Sequence, residues 1–215
     1  MFAQLQLVID QPASTFHFEQ QARACGFRAV AGIDEAGRGP LAGPVVAAAV
    51  ILPERFELPG LTDSKLLSEK ARERLYPLIR AQALAVGIGV ARAEEIDRVN
   101  ILQATLRSMV RAVGRLAVPP DFLLVDGNVP VPLPLPQQAL VKGDSRSLSI
   151  AAASVVAKVV RDRIMCGLDR IHPGYGFAGH KGYGSAAHRA ALARLGPCPC
   201  HRRTFGGVRE HCAAP

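Results

Sequence analysis

The chain has 215 residues, 49% of them apolar, which is enough for one sizeable hydrophobic core. Lysine and arginine outnumber aspartate and glutamate by 26 to 18, and this excess favours a polyanionic partner such as nucleic acid. Five cysteines without a regular framework and an N-terminus unlike a signal peptide predict a cytoplasmic protein. The longest apolar stretch is too short to span a bilayer, so we expect no membrane segment.

The first half of the chain alternates apolar segments with turn signals, which predicts two helices and three strands. In chain order these are a helix over 15–25, strands over 27–33 and 45–52, a helix over 68–83 and a strand over 84–91. Only a tight glycine–proline connection separates the first two strands, so we expect an antiparallel hairpin. Pro77 is expected to kink or shorten the second helix.

The second half predicts a different alternation of elements. These are a helix over 100–116 with a basic side, strands over 122–125 and 139–142, a long helix over 149–171 and a short one over 185–195. A proline-rich run at 129–136 is interpreted as an extended connector. Paired strands followed by strands that alternate with helices predict an α/β domain around a mixed sheet.

The chemically densest stretch is 31–44, in which two adjacent acids follow an apolar segment and precede three glycines, the first two of them separated by an arginine. Successive residues of a strand point to opposite faces, so Asp34 and Glu35 cannot both enter one site from regular strand geometry. We expect the Asp34 side chain to point into the site. Glu35 would either be swung in by the glycine turn or contribute its backbone carbonyl.

Three acids share a position in the predicted pattern. Asp34, Asp126 and Asp144 each follow an apolar segment and neighbour a glycine or a turn, so they can converge on one cleft. Phosphodiester hydrolysis needs an activated water and a stabilised leaving oxygen, and two divalent ions held by shared carboxylates supply both. Hard oxygen ligands suit Mg²⁺ or Mn²⁺. The alternative, that each acid merely caps a helix or turn, explains one acid better than three.

Two other functions, dinucleotide binding and non-catalytic nucleic-acid binding, fit the sequence less well. The segment 37–42 fits the G-x-G-x-x-A pattern of dinucleotide binding, but that motif must open a helix, and Pro44 with the β-branched residues after it favours a strand. A non-catalytic nucleic-acid-binding module would explain the basic charge but not why three acids converge. No Walker A sequence and no Gly-x-Ser-x-Gly elbow is present, so nucleotide triphosphatases and serine hydrolases have no support.

Six segments resemble the type 2 ribonuclease H family, specifically bacterial ribonuclease HII. They are GIDEAGRGPLAGPVVAAAVIL at 32–52, LTDSKLLSEK at 61–70, NILQAT at 100–105, VDGN at 125–128, KGDSRSLSIAAASVVAKVVRD at 142–162 and YGFAGHKGYG at 175–184. The resemblance covers most of residues 28–205. It implies a ribonuclease H-like mixed sheet flanked by helices, divided into an N-terminal segment 1–26, a catalytic domain 27–170 and a helical, substrate-contacting C-terminal extension 171–215.

The resemblance also implies an activity: metal-dependent hydrolysis of the RNA strand of RNA–DNA hybrids and cleavage 5′ of ribonucleotides embedded in duplex DNA. Products would carry 3′-hydroxyl and 5′-phosphate ends. Such an enzyme removes RNA primers and misincorporated ribonucleotides, and we expect it to be a monomer that needs two Mg²⁺ or Mn²⁺ ions. The residues that match the family's catalytic and metal-binding acids are Asp34, Glu35, Asp126 and Asp144.

Other matching residues imply how the substrate is bound. The elements that detect a ribonucleotide correspond to Gly37, Arg38, Gly39 and Tyr183. Backbone groups beside small glycines can approach a 2′-hydroxyl, the feature that separates RNA from DNA, and a tyrosine can stack on a sugar. Candidate phosphate contacts are Lys65, Lys142, Lys158, Arg161 and Lys181, for each of which a solvated charged face is the alternative.

The C-terminal tail departs from the family pattern because it is rich in residue types that bind zinc. These are Cys198, Cys200, His201, His211 and Cys212. Cys-x-Cys-His followed by a ten-residue gap matches the common zinc spacings poorly. We therefore expect incidental thiols, with a zinc site as the alternative.

Overall fold

The computed structural model of the protein describes residues 16–61 and 64–212. The predicted helix start at Thr15 and two residues of segment 61–70 lie outside them. The described strands are Val30–Ala36 (β1), Val45–Ile51 (β2), Ala85–Ala91 (β3), Phe122–Asp126 (β4) and Gln137–Leu140 (β5). The α-helices are His17–Ala24 (α1), Glu69–Gln82 (α2), Ala93–Val99 (α3), Ile101–Val113 (α4), Leu148–Ile171 (α5), Phe177–His180 (α6) and Ala186–Leu195 (α7).

The five strands form one mixed sheet in the order β3-β2-β1-β4-β5. β1 pairs antiparallel with β2, which confirms the predicted hairpin, and β2 pairs antiparallel with β3. β4 lies parallel to β1 on its other side and β5 lies parallel to β4. The predicted α/β class with a mixed sheet is therefore confirmed.

Helices cover both faces of the sheet. α2 and α5 pack on one face against side chains such as Ala48 and Val50 of β2, and α4 packs on the other against Ala47 and Ala49. α5 crosses β1 so closely that a Cβ built on Gly32 would lie 2.1 Å from the Ser149 carbonyl carbon. A glycine at this position therefore lets α5 lie directly against the strand that carries Asp34.

Three local predictions differ from the structure. β1 extends through Ala36, so Asp34 and Glu35 lie within the strand and not beyond its end. Pro77 does not shorten α2, which runs from Glu69 to Gln82, because its packing on α5 and the sheet outweighs the lost backbone hydrogen bond. The short helix α3 was not predicted; Asn100, at a φ of 69°, separates it from α4 and caps α4 through its side chain.

The segment after α5 packs back onto the connection between β1 and β2. Residue Ala42 of that connection forms a β-bridge with His201, and the Leu41 carbonyl accepts a 2.9 Å hydrogen bond from the Arg202 N–H. On its other side, the Leu41 N–H donates to the Gly182 carbonyl at 2.9 Å. The C-terminal extension thus encloses the glycine-rich connection. Within the described part of the chain, no helix is long and apolar enough to cross a membrane.

Candidate active site

Three aspartates meet at one end of the sheet. Ile33 of β1 is paired with Val125 of β4, so the next residues, Asp34 and Asp126, follow side by side on neighbouring parallel strands. Asp144 joins them from a 3₁₀ turn, Gly143–Ser145, between β5 and α5. One carboxylate oxygen from each of the three aspartates lies within 4.8 Å of the others. The predicted convergence of these acids is what the structure shows.

The aspartate cluster concentrates negative charge in a poorly solvated place. Burial raises the pKa of Asp34 well above its usual value, and the charges of Glu35 and Asp126 raise it further. Burial and the neighbouring Asp144 also raise the pKa of Asp126. A divalent cation would relieve both effects, and three carboxylates are the hard oxygen donors that such an ion prefers. The residues present therefore fit a divalent-metal site.

Several contacts hold the three aspartates in place. The Gly143 N–H donates a 2.7 Å hydrogen bond to Oδ1 of Asp126, which ties the 3₁₀ turn to the end of β4. Lys65 Nζ lies 3.0 Å from Oδ2 of Asp144. The Ser64 and Ser154 hydroxyls are 2.7 Å apart, and Ser154 on α5 also hydrogen-bonds to Asp34. The cluster is thus positioned by α5 and by the segment that precedes α2.

Glu35 differs from the three aspartates because β1 is regular at this point. Across the hairpin, Glu35 pairs with Ala47 and Asp34 pairs with Ala48. The side chains of Ala47 and Ala48 lie on opposite faces of the sheet. Its carboxylate lies 3.3 Å from Arg38, and the described aspartate cluster does not include it. Burial raises the pKa of Glu35. The charge of Glu35 raises the pKa of Asp34 and the charge of Asp126 raises that of Glu35, so this carboxylate flanks the cluster while it pairs with Arg38.

Two buried arginines donate hydrogen bonds to the main-chain carbonyl oxygens in and next to the glycine-rich connection 37–43. Arg202 donates to the carbonyl oxygens of Gly37, of Arg38 at 2.7 Å and of Gly43 at 3.0 Å. Arg161 donates to the carbonyl oxygens of Ala42 at 3.3 Å and Pro44 at 3.0 Å. Gly37 has a φ of 96°, and a Cβ there would lie 1.9 Å from Nε of Arg161. Glycine is required at this position on both counts.

These contacts change the interpretation of two arginines. Arg161, expected to contact a phosphate, is only 1% exposed, and its guanidinium is occupied by main-chain carbonyls. We correct that expectation, because a buried guanidinium facing carbonyls has no surface left for a phosphate. Arg202 was not recognised from the sequence as functional. Burial, and then the charge of Arg161, lower its pKa to about 9, a large shift for a residue kept in place by main-chain oxygens.

Tyr183 lies beside the glycine-rich connection on the protein surface. Its side chain is 49% exposed, which excludes the alternative that it is a core tyrosine. A Cβ built on Gly39 would lie 3.9 Å from Cε1 of Tyr183, and the Arg161 guanidinium is 5.9 Å from the centre of its ring. His188 Nδ1 lies 2.9 Å from the Tyr183 carbonyl and fixes the backbone. Two segments far apart in sequence therefore meet at this surface.

The remaining candidate phosphate contacts occupy different environments. Lys142 is exposed and lies next to the 3₁₀ turn that carries Asp144. Lys158 forms a 2.7 Å ion pair with Asp162 on the next turn of α5. Lys181 is largely enclosed, donates to the Ala178 carbonyl at 2.8 Å and lies 3.3 Å from Glu69. Of these three lysines, Lys142 is the one whose exposure and position suit contact with a substrate beside the acids.

Known proteins resemble the chain over nearly its whole length. A family model described as ribonuclease HII matches residues 31–208. The ribonuclease HII of Syntrophotalea carbinolica is 67% identical over 96% of this chain and 99% of that protein. The ribonuclease HII of Geobacter metallireducens is 65% identical over 93% of this chain and 94% of that protein.

Solved structures agree with the sequence comparisons. The crystal structure of ribonuclease H2 from Pyrococcus horikoshii has a TM-score of 0.71 at 27% identity, covering 85% of this chain and 96% of that one. A complex of PCNA with ribonuclease HII from Archaeoglobus fulgidus contains a chain with a TM-score of 0.71 at 28% identity, covering 83% of this chain and 96% of that one. Sequence and fold therefore point to one family.

Proposed function

The chain belongs to the ribonuclease HII family, and we propose on that basis that it cleaves duplex DNA on the 5′ side of single embedded ribonucleotides. Membership makes it a type 2 ribonuclease H, an endoribonuclease that acts on RNA–DNA hybrids. The observation that carries the finer proposal is the meeting of Gly39 and Tyr183 at one surface, on the connection that follows the strand of Asp34. Removal of RNA primers and of misincorporated ribonucleotides would follow from this specificity.

The proposed catalytic centre is formed by the three aspartates. Asp34, Asp126 and Asp144 would hold two divalent ions, Mg²⁺ or Mn²⁺, because their oxygens lie within 4.8 Å of one another and are hard donors. When bound, such ions lower the pKa of water and neutralise charge on the leaving oxygen. Among the described residues near the cluster, no cysteine or histidine competes for the hard-donor site. Cleavage would leave a 3′-hydroxyl and a 5′-phosphate.

Glu35 has a more restricted role in this proposal than the aspartates. Its side chain pairs with Arg38 at 3.3 Å and flanks the aspartate cluster, so either its carboxylate or its backbone carbonyl would serve the metal site. The carboxylate then orients Arg38, which is half-exposed and next to two glycines. Arg38 is thereby presented to the polyanionic substrate.

Recognition of the ribonucleotide would depend on backbone groups of the glycine-rich connection. Arg202 and Arg161 engage the carbonyl oxygens of this connection, so its shape is fixed before substrate arrives. Gly37 and Gly39 have no side chains to obstruct a 2′-hydroxyl, and exposed Tyr183 can stack on the adjacent sugar. Lys65 and Lys142 lie beside Asp144 and are our choices for phosphate contacts.

The decisive experiment is cleavage of a labelled DNA duplex that contains one ribonucleotide, with and without Mg²⁺. We expect one cut on the 5′ side of the ribonucleotide, dependent on the ion, and no cut in the same duplex made entirely of DNA. An RNA strand annealed to DNA serves as the positive control for family activity. Cleavage of that hybrid together with an intact single-ribonucleotide duplex would reject the finer specificity while leaving the family assignment in place.

A further inference from the structure

A second group of metal-binding side chains lies in the C-terminal extension, away from the aspartates. One ligand atom from each of His172, Cys198 and Cys200 lies within 4.8 Å of the others. The two Sγ atoms are 3.2 Å apart. Two thiolate sulfurs and an imidazole nitrogen are soft and borderline donors, the reverse of the hard oxygens around Asp34.

The local fold explains how three residues with unfavourable sequence spacing come together. Cys198 to His201 form a tight turn closed by a 3.0 Å hydrogen bond from the His201 N–H to the Cys198 carbonyl, with Pro199 at the position that turns favour. This turn points both sulfurs in one direction. His172 is the C-terminal cap of α5, and the α5 end packs beside the turn through Leu168 and Cys200.

The other residues considered from the sequence are already engaged within the protein. His201 Nδ1 accepts the Cys198 N–H at 3.1 Å and also lies 3.1 Å from Cys198 Sγ, while His201 Nε2 lies 3.1 Å from His188 Nε2. Cys212 Sγ faces the Val208 carbonyl at 3.7 Å and packs in a separate apolar cluster. In contrast, the His172 imidazole makes no hydrogen bond within residues 16–61 and 64–212, so its ring nitrogens are available to an ion.

We propose that His172, Cys198 and Cys200 bind one Zn²⁺ ion. Donor atoms around a tetrahedral zinc ion are about 3.4–3.8 Å apart, so the two sulfurs, now 3.2 Å apart, would separate by roughly half an ångström, and the His172 nitrogen, within 4.8 Å of both, would move inward by up to about 1 Å. Three protein ligands leave the fourth position for water, on the side where His172 and Cys200 are partly exposed. A site that includes His172 replaces the expectation of incidental thiols, because His172 is far from the two cysteines in the sequence.

The ion would link the end of α5 to the segment that encloses the glycine-rich connection. The Cys200 carbonyl accepts a 2.8 Å hydrogen bond from the Gly43 N–H, and Arg202, two residues later, holds Gly37 and Arg38. A zinc ion on the 198–200 turn would therefore restrain the same backbone that carries Arg202. The ion would act on this backbone and not on the scissile bond, because His172 follows the C-terminal end of α5 whereas Asp144 precedes its N-terminal end.

The test uses tag-free, full-length protein, reduced, freed of metal and titrated with Co²⁺ as a spectroscopic substitute for zinc. Thiolate ligands give a charge-transfer band with Co²⁺, whereas the carboxylates of the aspartate cluster do not. We expect the band to saturate at one ion per chain and to disappear when one equivalent of Zn²⁺ is added. Cys212→Ser, a matched thiol in the same tail, should behave like the unmutated protein.

Cys200→Ser should abolish the band, and His172→Gln should weaken cobalt binding at least tenfold. Absence of the band from the unmutated protein would overturn the proposal without recourse to any variant. Full retention of the band in Cys200→Ser would overturn it too. A thiol titration under the same conditions verifies that Cys198 and Cys200 are reduced, so that a missing band cannot be attributed to a disulfide.

Discussion

The aspartate cluster and the glycine-rich connection share strand β1, which carries Asp34 and leads into the connection, but they are built on opposite principles. The cluster places three like charges side by side, and burial together with their mutual repulsion raises the pKa values of Asp34 and Asp126. The connection is stabilised instead, because Arg161 and Arg202 donate to its carbonyl oxygens. The aspartate cluster therefore lowers folding stability while it forms a site for metal ions, whereas the glycine-rich connection is fixed by two buried arginines. Substitutions in the two regions should separate activity from stability.

The largest effect should come from removing one charge of the cluster. Asp126→Asn keeps the shape of the side chain and loses a metal-binding charge, so cleavage of an RNA–DNA hybrid should fall on the order of 10³-fold or more while hybrid binding largely survives. Single-turnover cleavage and equilibrium binding are measured separately. The control is Glu54→Gln, an exposed carboxylate far along the chain from the three acids. Turnover near the parent rate in Mg²⁺ would reject the proposed metal site.

In the glycine-rich connection, the corresponding experiment is Arg202→Met. This change leaves the carbonyl oxygens of Gly37, Arg38 and Gly43 without their donor, so the free energy of unfolding should fall by about 3 kcal/mol. Urea unfolding measures this, and Arg203→Met, the exposed neighbour, should change stability by less than about 0.5 kcal/mol.

Arg202→Lys supplies a second, milder variant that keeps the charge. An ammonium cannot reproduce the fork that spans three carbonyl oxygens, so this variant should lie between the parent and Arg202→Met. Equal stability of all three proteins would mean that the connection does not depend on the arginine behind it.

The two regions also differ in how far the sequence predicted them. The meeting of Asp34, Asp126 and Asp144 was predictable because each acid follows an apolar segment, and neighbouring strand ends lie at one edge of a sheet. The role of Arg202 was not, because its contacts join residues as much as 165 positions apart in the chain. Nothing in local periodicity marks such a contact.

Glu35 could not be placed from the sequence, and Arg161 was misplaced, for related physical reasons. The position of Glu35 depends on whether β1 ends at Ile33 or continues to Ala36, and strand ends are the part of an element that local pattern fixes least. Arg161 has the helical spacing of a surface cation, yet the glycine-rich connection covers it. Sequence spacing gives the face of a helix but not what packs on that face.

A smaller effect should separate the two parts of the proposed ribonucleotide sensor. Tyr183→Phe removes a hydrogen-bonding hydroxyl, which should cost about 1–2 kcal/mol, or roughly a five- to thirtyfold fall in cleavage at a lone ribonucleotide. Tyr183→Ala removes the stacking surface as well. Ala should therefore be worse than Phe. Single-turnover rates on the single-ribonucleotide duplex are compared with those on a continuous RNA–DNA hybrid. Parent rates for both variants on both substrates would remove Tyr183 from the sensor.

The smallest expected effect concerns the stability of the metal-free protein and follows from the raised pKa of Asp34. Burial and the charges of Glu35 and Asp126 make the folded state bind this proton more tightly than the unfolded state. The stabilising contribution of the protonated form is complete below the unfolded pKa and is lost as pH rises through the folded pKa. Above the unfolded pKa, the folded state must either hold this buried charge or take up a proton, and both cost free energy that Asp34→Asn removes.

Metal-free Asp34→Asn should accordingly unfold at a higher temperature than the parent at neutral pH. A stability gain of about 1 kcal/mol would raise the Tm by about 2–4 °C for a chain of this size. The difference should shrink as pH falls through the folded pKa, because the parent carboxyl then becomes neutral as well. Added Mg²⁺ should raise the Tm of the parent more than that of the variant, since the ion supplies the missing positive charge. Glu54→Gln again serves as the exposed control. A variant less stable than the metal-free parent at neutral pH would show that Asp34 stabilises the fold, and the contrast between the two regions would fail.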